Sequence, residues 1–360
     1  MSVEPPYEGD TKLVNRWYVL ALCFSAALPT HAAGPLVSPW DAHPITPTKA
    51  PYSCPEPAHL PVDFVTDGFY ALNDPTHSII DPVRQKEYDR TSGPVKNEGN
   101  VVVAAADNFR TTGSEAAAAC VIHHMEVNAR DHALTGKLSS SQAYFVQGWV
   151  AGAEAIAYLK VDGAHRTTPE QRALILPWLE KNADLTRSFY DARAKEPGGG
   201  AQNHFYWAAI QLAATGIATG NRADFDWAMQ KAKRGIDAIR PDGTLPEEMR
   251  RGKRALHYHL YAASPLVMLA ELGLPNGVDL YSYRDGALKK LVEVSTHGLI
   301  DPSLFEKATG IPQERPDPPT AEAIGWAEPY NRRFPDPIIT KLLNEAPDHS
   351  YMYLGGLPPS

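Results

Sequence analysis

Apolar and small residues recur at intervals of three and four along most of the chain from Asn100 onward, and the strict alternation of a half-buried strand is almost absent. The spacing predicts helices over 100–125, 142–160, 169–192, 204–219, 222–239, 255–272, 286–296 and 320–332. Their ends carry recognisable chemistry. Thr168-Pro169-Glu170-Gln171 is a capping box with proline at the first helical position, Gly220 ends one helix, and Pro241-Asp242-Gly243 ends the next. Helices of this length joined by short turns imply an all-α domain of antiparallel helix pairs, arranged as a bundle or as a toroid. The helix after His204 is apolar around most of its circumference, which suits the inner ring of an incomplete (α/α) toroid. Loops at one end of such a ring border a deep groove. The proline-rich stretch from Gly34 to about Leu60 reads as an extended arm, and 312–319 and the tail 355–360 read as surface connections.

The N-terminus departs from this pattern. Lys12 and Arg16 precede an apolar run, Trp17 to Leu28, and then small residues ending at Ala33, the layout of a signal peptide over residues 1–33. The run is short for a transmembrane helix, so no membrane span is expected, and the mature chain is read as a single catalytic domain, 34–360, in the periplasm or secreted. The formal charge of −8 stays acidic once the leader is removed, which argues against a general nucleic-acid binder. Cys54 and Cys120 then remain, and in an oxidising compartment they are expected to be bridged. No phosphate loop or metal-ligand spacing stands out, so no cofactor is expected, and the protein is read as a monomer.

Candidate chemistry gathers in two places. Gln202-Asn203-His204 follows the loop Pro197-Gly198-Gly199-Gly200 and opens an apolar helix, so backbone N–H groups and a positive helix end lie beside Asn203 and His204, a setting that suits an anion. Asn203 as a cap and His204 as a packed ring are the plainer alternative. The run Arg250-Arg251-Gly252-Lys253-Arg254-Ala255-Leu256-His257-Tyr258-His259-Leu260-Tyr261 sets a basic cluster against a His/Tyr helix face, as an enzyme acting on a polyanionic sugar requires, or as a solvated turn followed by aromatic packing would also give.

Taken together, Gln202-Asn203-His204-Phe205-Tyr206-Trp207 and Arg254-Ala255-Leu256-His257-Tyr258-His259-Leu260-Tyr261-Ala262 resemble the paired motifs of the helical-toroid alginate lyases, polysaccharide lyase family 5. The separations agree too, 47 residues from His204 to Arg251 and seven from Arg251 to Tyr258. Weaker similarity extends from about Cys54, through Gln147-Gly148-Trp149, to Gly325-Trp326-Ala327-Glu328-Pro329-Tyr330. Gln202 stands where the family has asparagine, and Leu260 where alginate-specific members often carry asparagine, so reaction class is firmer than substrate identity.

The resemblance implies a lyase that cleaves polymannuronate or a related polyuronate by β-elimination. Arg251 and Asn203 would neutralise the uronate carboxylate; His204 would serve as base with Tyr258 protonating the leaving oxygen, or, in mannuronate, Tyr258 would make both proton transfers with His204 assisting. A nearby arginine is expected to lower the Tyr258 pKa from about 10. Within the polar segment 81–100, Lys86, Tyr88 and Arg90 would belong to a lid over the groove, the alternative being an exposed charged loop. Gln147, Trp149, His257 and Tyr261 are expected sugar contacts, with core packing the alternative for Trp149. Competing classes are a glycoside hydrolase using carboxylates such as Glu247 and Glu248, and a binding protein without turnover.

Overall fold

The computed structural model describes residues 34–359 apart from 75, 162 and 196–201. The expected leader and the glycine-rich loop before Asn203 therefore lie outside the described residues. Residues Leu36–Ser360 form one compact unit.

The helices, in chain order, are α1 (Pro82–Thr112), α2 (Glu115–Arg130), α3 (Ser141–Lys160), α4 (Gly163–Arg166), α5 (Pro169–Arg193), α6 (Asn203–Thr219), α7 (Arg222–Asp237), α8 (Pro246–Met249), α9 (Ala255–Gly273), α10 (Tyr283–His297), α11 (Ser303–Thr309), α12 (Ala327–Arg333) and α13 (Pro337–Glu345). Among the described residues β pairing is confined to isolated bridges. Helices α1, α3, α6 and α9 pack in succession as an inner layer, while α2, α5, α7 and α10 pack outside them. This is the expected two-layered toroid. Inner helices α3, α6 and α9 are buried on nearly every face, which is why their sequences show apolar residues all round rather than a stripe. Close approach needs small residues: a Cβ added at Gly152 of α3 would meet the Gln211 side chain of α6 at 3.2 Å.

Two expectations about the first helices are corrected. The predicted run 100–125 is two helices, because Gly113 adopts φ 76° and ends α1 with its N–H on Phe109 O, and Ser114 then caps α2 by accepting from Ala117 N. The segment 81–100, read as a loop or lid, is the first half of α1. Asp81 caps it by accepting from Val83 N and Arg84 N, with Pro82 at the first position. Its buried face, Tyr88, Ser92, Val95 and Gly99, keeps helical spacing, but charged residues on the outer face and Pro94 obscure it in the sequence.

The arm does run over the surface as expected. Thr48 exchanges backbone hydrogen bonds with Gly113 and Glu115 beside the α1–α2 turn. Cys54 and Cys120 form a disulfide, with Cα atoms 5.6 Å apart, that pins the arm to α2. Next to it, buried His124 meets Glu98 Oε1 at 2.7 Å and Pro55 O at 3.0 Å, and Glu98 Oε2 accepts from Ala58 N at 3.1 Å.

The tail is corrected as well. It is no surface connection: Leu354, Gly355 and Gly356 are buried between α1 and α3, where a Cβ at Gly355 would sit 2.3 Å from Ile156 and one at Gly356 2.3 Å from Asp107. Both glycines have positive φ, so the backbone path and the tight fit require the same residue type.

Candidate active site

A groove of about 1240 Å³ opens at one end of the toroid. Its reactive wall is built by the starts of α6 and α9, its roof by the hairpin-like segment 69–81, and its far wall by α1, α3 and the C-terminal segment. His204, Arg251, Tyr258, His257, Tyr261, Trp149 and Tyr88 all line it.

At the head of α9, the Arg251 guanidinium lies over the Tyr258 ring, 4.2 Å from its centroid, and that of Arg254 lies 5.3 Å away. Arg251 also donates to Thr76 O at 3.3 Å. The Tyr258 hydroxyl is 2.9 Å from the hydroxyl of Tyr70, which accepts in turn from Arg254 Nη1. Arg254 Nη2 reaches His257 Nε2 at 2.9 Å. An arginine can only donate, so that ring nitrogen is the unprotonated one.

The expectation that arginine would lower the Tyr258 pKa is corrected. Burial, reinforced by Tyr70, pushes the phenol above its ordinary value, and Arg251 and Arg254 only partly offset it. Tyr258 is thus a neutral phenol with a proton to give. His204 is stacked on Phe145, centroids 3.9 Å apart, and its Nδ1 has no hydrogen-bond partner among the described residues. Burial, then Arg251, Arg193 and His77, hold His204 down to about 3, and burial with Arg254 and Arg251 does the same to His257. Both imidazoles are neutral at physiological pH, and His204 can accept a proton or hydrogen bond, whereas the acceptor nitrogen of His257 is already taken by Arg254.

Asn203 is placed differently from the expectation. Its side chain is fully buried beneath the groove, with Nδ2 donating to Glu248 Oε1 at 2.9 Å and its backbone N–H reaching the same oxygen at 3.3 Å. Glu248 lines the groove in front of it, with Oε2 3.8 Å from Arg251 Nε. Two donors on one oxygen describe an accepting carboxylate, although burial pushes its pKa up against the pull of Arg251 and Asn203.

Several expected sugar contacts lie elsewhere. Gln147 is fully buried and hydrogen-bonded to Asn182 and Thr186, holding α3 to α5. Lys86 and Arg90 are exposed on the outer face of α1, with Arg90 paired to Glu87 at 2.6 Å; Arg84, Tyr88 and Lys96 of the same helix face the groove instead. Leu260 is core, and His259 is buried with Nδ1 on Ala255 O and Nε2 accepting from Leu245 N, so neither lines the groove.

The sequence reading missed Tyr70, Thr76 and His77 of the roof, Phe145, Arg193, Glu322, and Tyr351 and Tyr353 of the far wall. Only Phe145 carried a signal, standing four residues before Trp149 on the same helix face. The roof is organised by buried Asp74, which accepts from Thr76 N and Oγ1, Ser78 N and Ile79 N, so these hydrogen bonds drive its pKa well down against burial.

The fold and this site define a class: a helical toroid whose groove presents guanidinium groups, neutral imidazoles and a protonated phenol to an anionic chain. The sequence model of the alginate lyase family matches residues 68–305. A polysaccharide lyase of Stenotrophomonas maltophilia (strain K279a) is 36% identical over 287 residues, covering 79% of this chain and 83% of that protein. An alginate lyase of Pseudomonas syringae pv. syringae (strain B728a) is 30% identical over 321 residues, covering 86% and 84%. The crystal structure of alginate lyase A1-III from Sphingomonas species A1 superposes with a TM-score of 0.71 at 21% identity, covering 90% of each chain. The chain belongs to the alginate lyase family.

Proposed function

We propose that this protein cleaves alginate, its mannuronate blocks in particular, by β-elimination in the groove between α6 and α9. The observation that carries this reading is the neutral Tyr258 phenol packed under Arg251 at 4.2 Å, with neutral His204 lining the same groove. The uronate carboxylate lies against Arg251, which offsets the charge that builds up as the C5 proton leaves. The electron pair of the C5–H bond forms the C4–C5 double bond, the C4–O bond breaks, and the departing oxygen takes a proton from Tyr258. His204 accepts the C5 proton where it faces the ring from the other side. In mannuronate the two departing groups share one face, and there Tyr258 serves both transfers: its own proton passes to His204, the phenolate takes the C5 proton and hands it to the departing oxygen, and His204 then returns the first proton. Asn203 acts from beneath, through Glu248.

The same reading makes residues 1–33 a leader and places the mature protein in the periplasm, an oxidising compartment in which the Cys54–Cys120 bridge persists. It acts as a monomer, since one chain supplies every named reactive group of the groove. Among the described residues no helix is long and apolar enough to cross a membrane. Incubation with polymannuronate, polyguluronate and polyglucuronate, followed by the ultraviolet absorbance of unsaturated sugar ends, tests the reading. Fastest growth on polymannuronate is expected; faster growth on polyglucuronate reassigns the substrate, and none on any of the three overturns the reading.

A further inference from the structure

The far wall of the groove comes from a segment that lies beyond residues 68–305, the part matched by the family. Ser350, Tyr351, Met352 and Tyr353 line the groove and are only half-buried. The Tyr353 ring stacks on Trp149 at 4.7 Å, and its hydroxyl lies beside that of Tyr88. Tyr351 lies 5.3 Å from Tyr353 and beside Glu322. Trp207 links this group to the reactive wall, lying 6.2 Å from Tyr351 and 4.7 Å from Tyr261, itself 6.1 Å from Tyr258. The aromatic surface therefore starts beside the reacting phenol and runs along the groove away from it.

The segment is held by a buried ion pair that the chemistry above does not use. Lys160, at the end of α3, is almost wholly buried and donates to Asp107 of α1 and to Gly355 O at 2.6 Å. Asp107 also accepts from Ser350 Oγ at 2.7 Å and from Leu357 N at 3.0 Å. The pair thus grips the segment at Ser350 and again at Gly355 and Leu357, on both sides of residues 351–353. Burying a lysine and an aspartate is costly unless every hydrogen bond is made, and here the tail supplies the partners. The glycines at 355 and 356 let the backbone lie against Ile156 and Asp107, so the segment has one path into the molecule.

The geometry points to residues 351–353 as the sugar-binding wall that sets affinity for the pyranose rings next to the cleaved bond, with Lys160 and Asp107 as the positioning pair that holds it in register. Apolar faces of pyranose rings pack on aromatic faces, and phenolic hydroxyls donate to sugar oxygens, so the wall binds without taking part in proton transfer. This inference rests on the groove being a polyuronate site. A change at the wall should appear in binding and KM, and leave the chemical step alone.

Calorimetry with a mannuronate tetrasaccharide decides it, using Tyr258→Phe as the parent so that the sugar is not consumed, alongside steady-state kinetics in the wild-type background. Tyr353→Ala is expected to weaken binding and raise KM about tenfold, with kcat within about twofold of wild type. Lys160→Met is expected to move the same two quantities in the same direction, and to add less than about twofold in the Tyr353→Ala background, because both act through one segment. Should Lys160→Met fail to fold, Ser350→Ala removes one strap and leaves the ion pair intact. Unchanged binding in Tyr353→Ala, a fall in kcat as large as the rise in KM, or full additivity of the two substitutions overturns the inference. A wild-type protein that binds the tetrasaccharide and forms no unsaturated ends would sink the lyase reading, while the calorimetry would still decide the role of the wall.

Discussion

Two basic runs in this chain look alike as text: Lys86-Glu87-Tyr88-Asp89-Arg90 near the start of α1 and Arg250-Arg251-Gly252-Lys253-Arg254 before α9. Each sets cations beside a tyrosine and an acid. In the first, helix geometry turns Lys86 and Arg90 to solvent, and Arg90 spends its charge on Glu87 three residues away. Tyr88 is the buried member of the run, and Asp89 reaches the groove beside it. In the second, the chain turns sharply between two helices, and Arg251 and Arg254 fold back over the Tyr258 ring. A charge therefore bears on chemistry only where the backbone aims it, and a turn at a helix head aims what the outer face of a helix cannot.

The largest effects should fall on the second run. Arg251→Ala and Tyr258→Phe are each expected to lower kcat about 10²-fold or more, because one removes the charge that stabilises the developing anion and the other the transferable proton. Turnover near wild type in either variant would break the contrast between the runs. Glu248→Gln should cost about tenfold, since the amide oxygen still accepts from Asn203 while the ionic contact with Arg251 at 3.8 Å is lost. A loss as complete as that of Tyr258→Phe would instead mark Glu248 as an acid catalyst of the hydrolase kind.

A smaller effect follows from the field of the groove cations. His204 and His257 are held near 3, against 6.5 when unperturbed, so the unfolded chain binds more protons than the folded one between those values. Stability contributed by keeping these rings neutral is present above about pH 6.5 and declines as the pH falls toward 3. Thermal melts of wild type and His257→Gln across that window should show the variant losing less on acidification; parallel curves would contradict it. The smallest effect belongs to the first run. Lys86→Ala/Arg90→Ala should leave KM and kcat within about twofold of wild type at low and at high salt, because these side chains lie off the groove. A KM rise at low salt that vanishes at high salt would return them to the substrate path.

How much of this was legible follows the same line. The inner helices could be read because apolar residues on all faces and intact capping signals, such as Thr168 with Gln171, are local properties of the sequence. His204, Arg251 and Tyr258 could be read because their motifs fix both residue type and separation. Asn203 and Gln147 were read as facing substrate, but a buried partner decides their direction: Glu248 for the first, Asn182 and Thr186 for the second, neither adjacent in sequence. The helical start of α1 was hidden by its own charged face. The tail looked like a surface connection because its burial depends on Lys160 and Asp107, 195 and 250 residues away, which no local pattern reveals.

The central claim is that the sugar bond breaks by elimination through the Tyr258–Arg251 pair rather than by addition of water. Mass spectrometry of the fragments released from a mannuronate oligosaccharide in heavy-oxygen water tests this most directly. The account predicts an unsaturated fragment with no solvent oxygen at the cleaved bond from the wild-type protein, and almost no fragments from Tyr258→Phe. Saturated fragments carrying one solvent oxygen, or undiminished release by Tyr258→Phe, would contradict it.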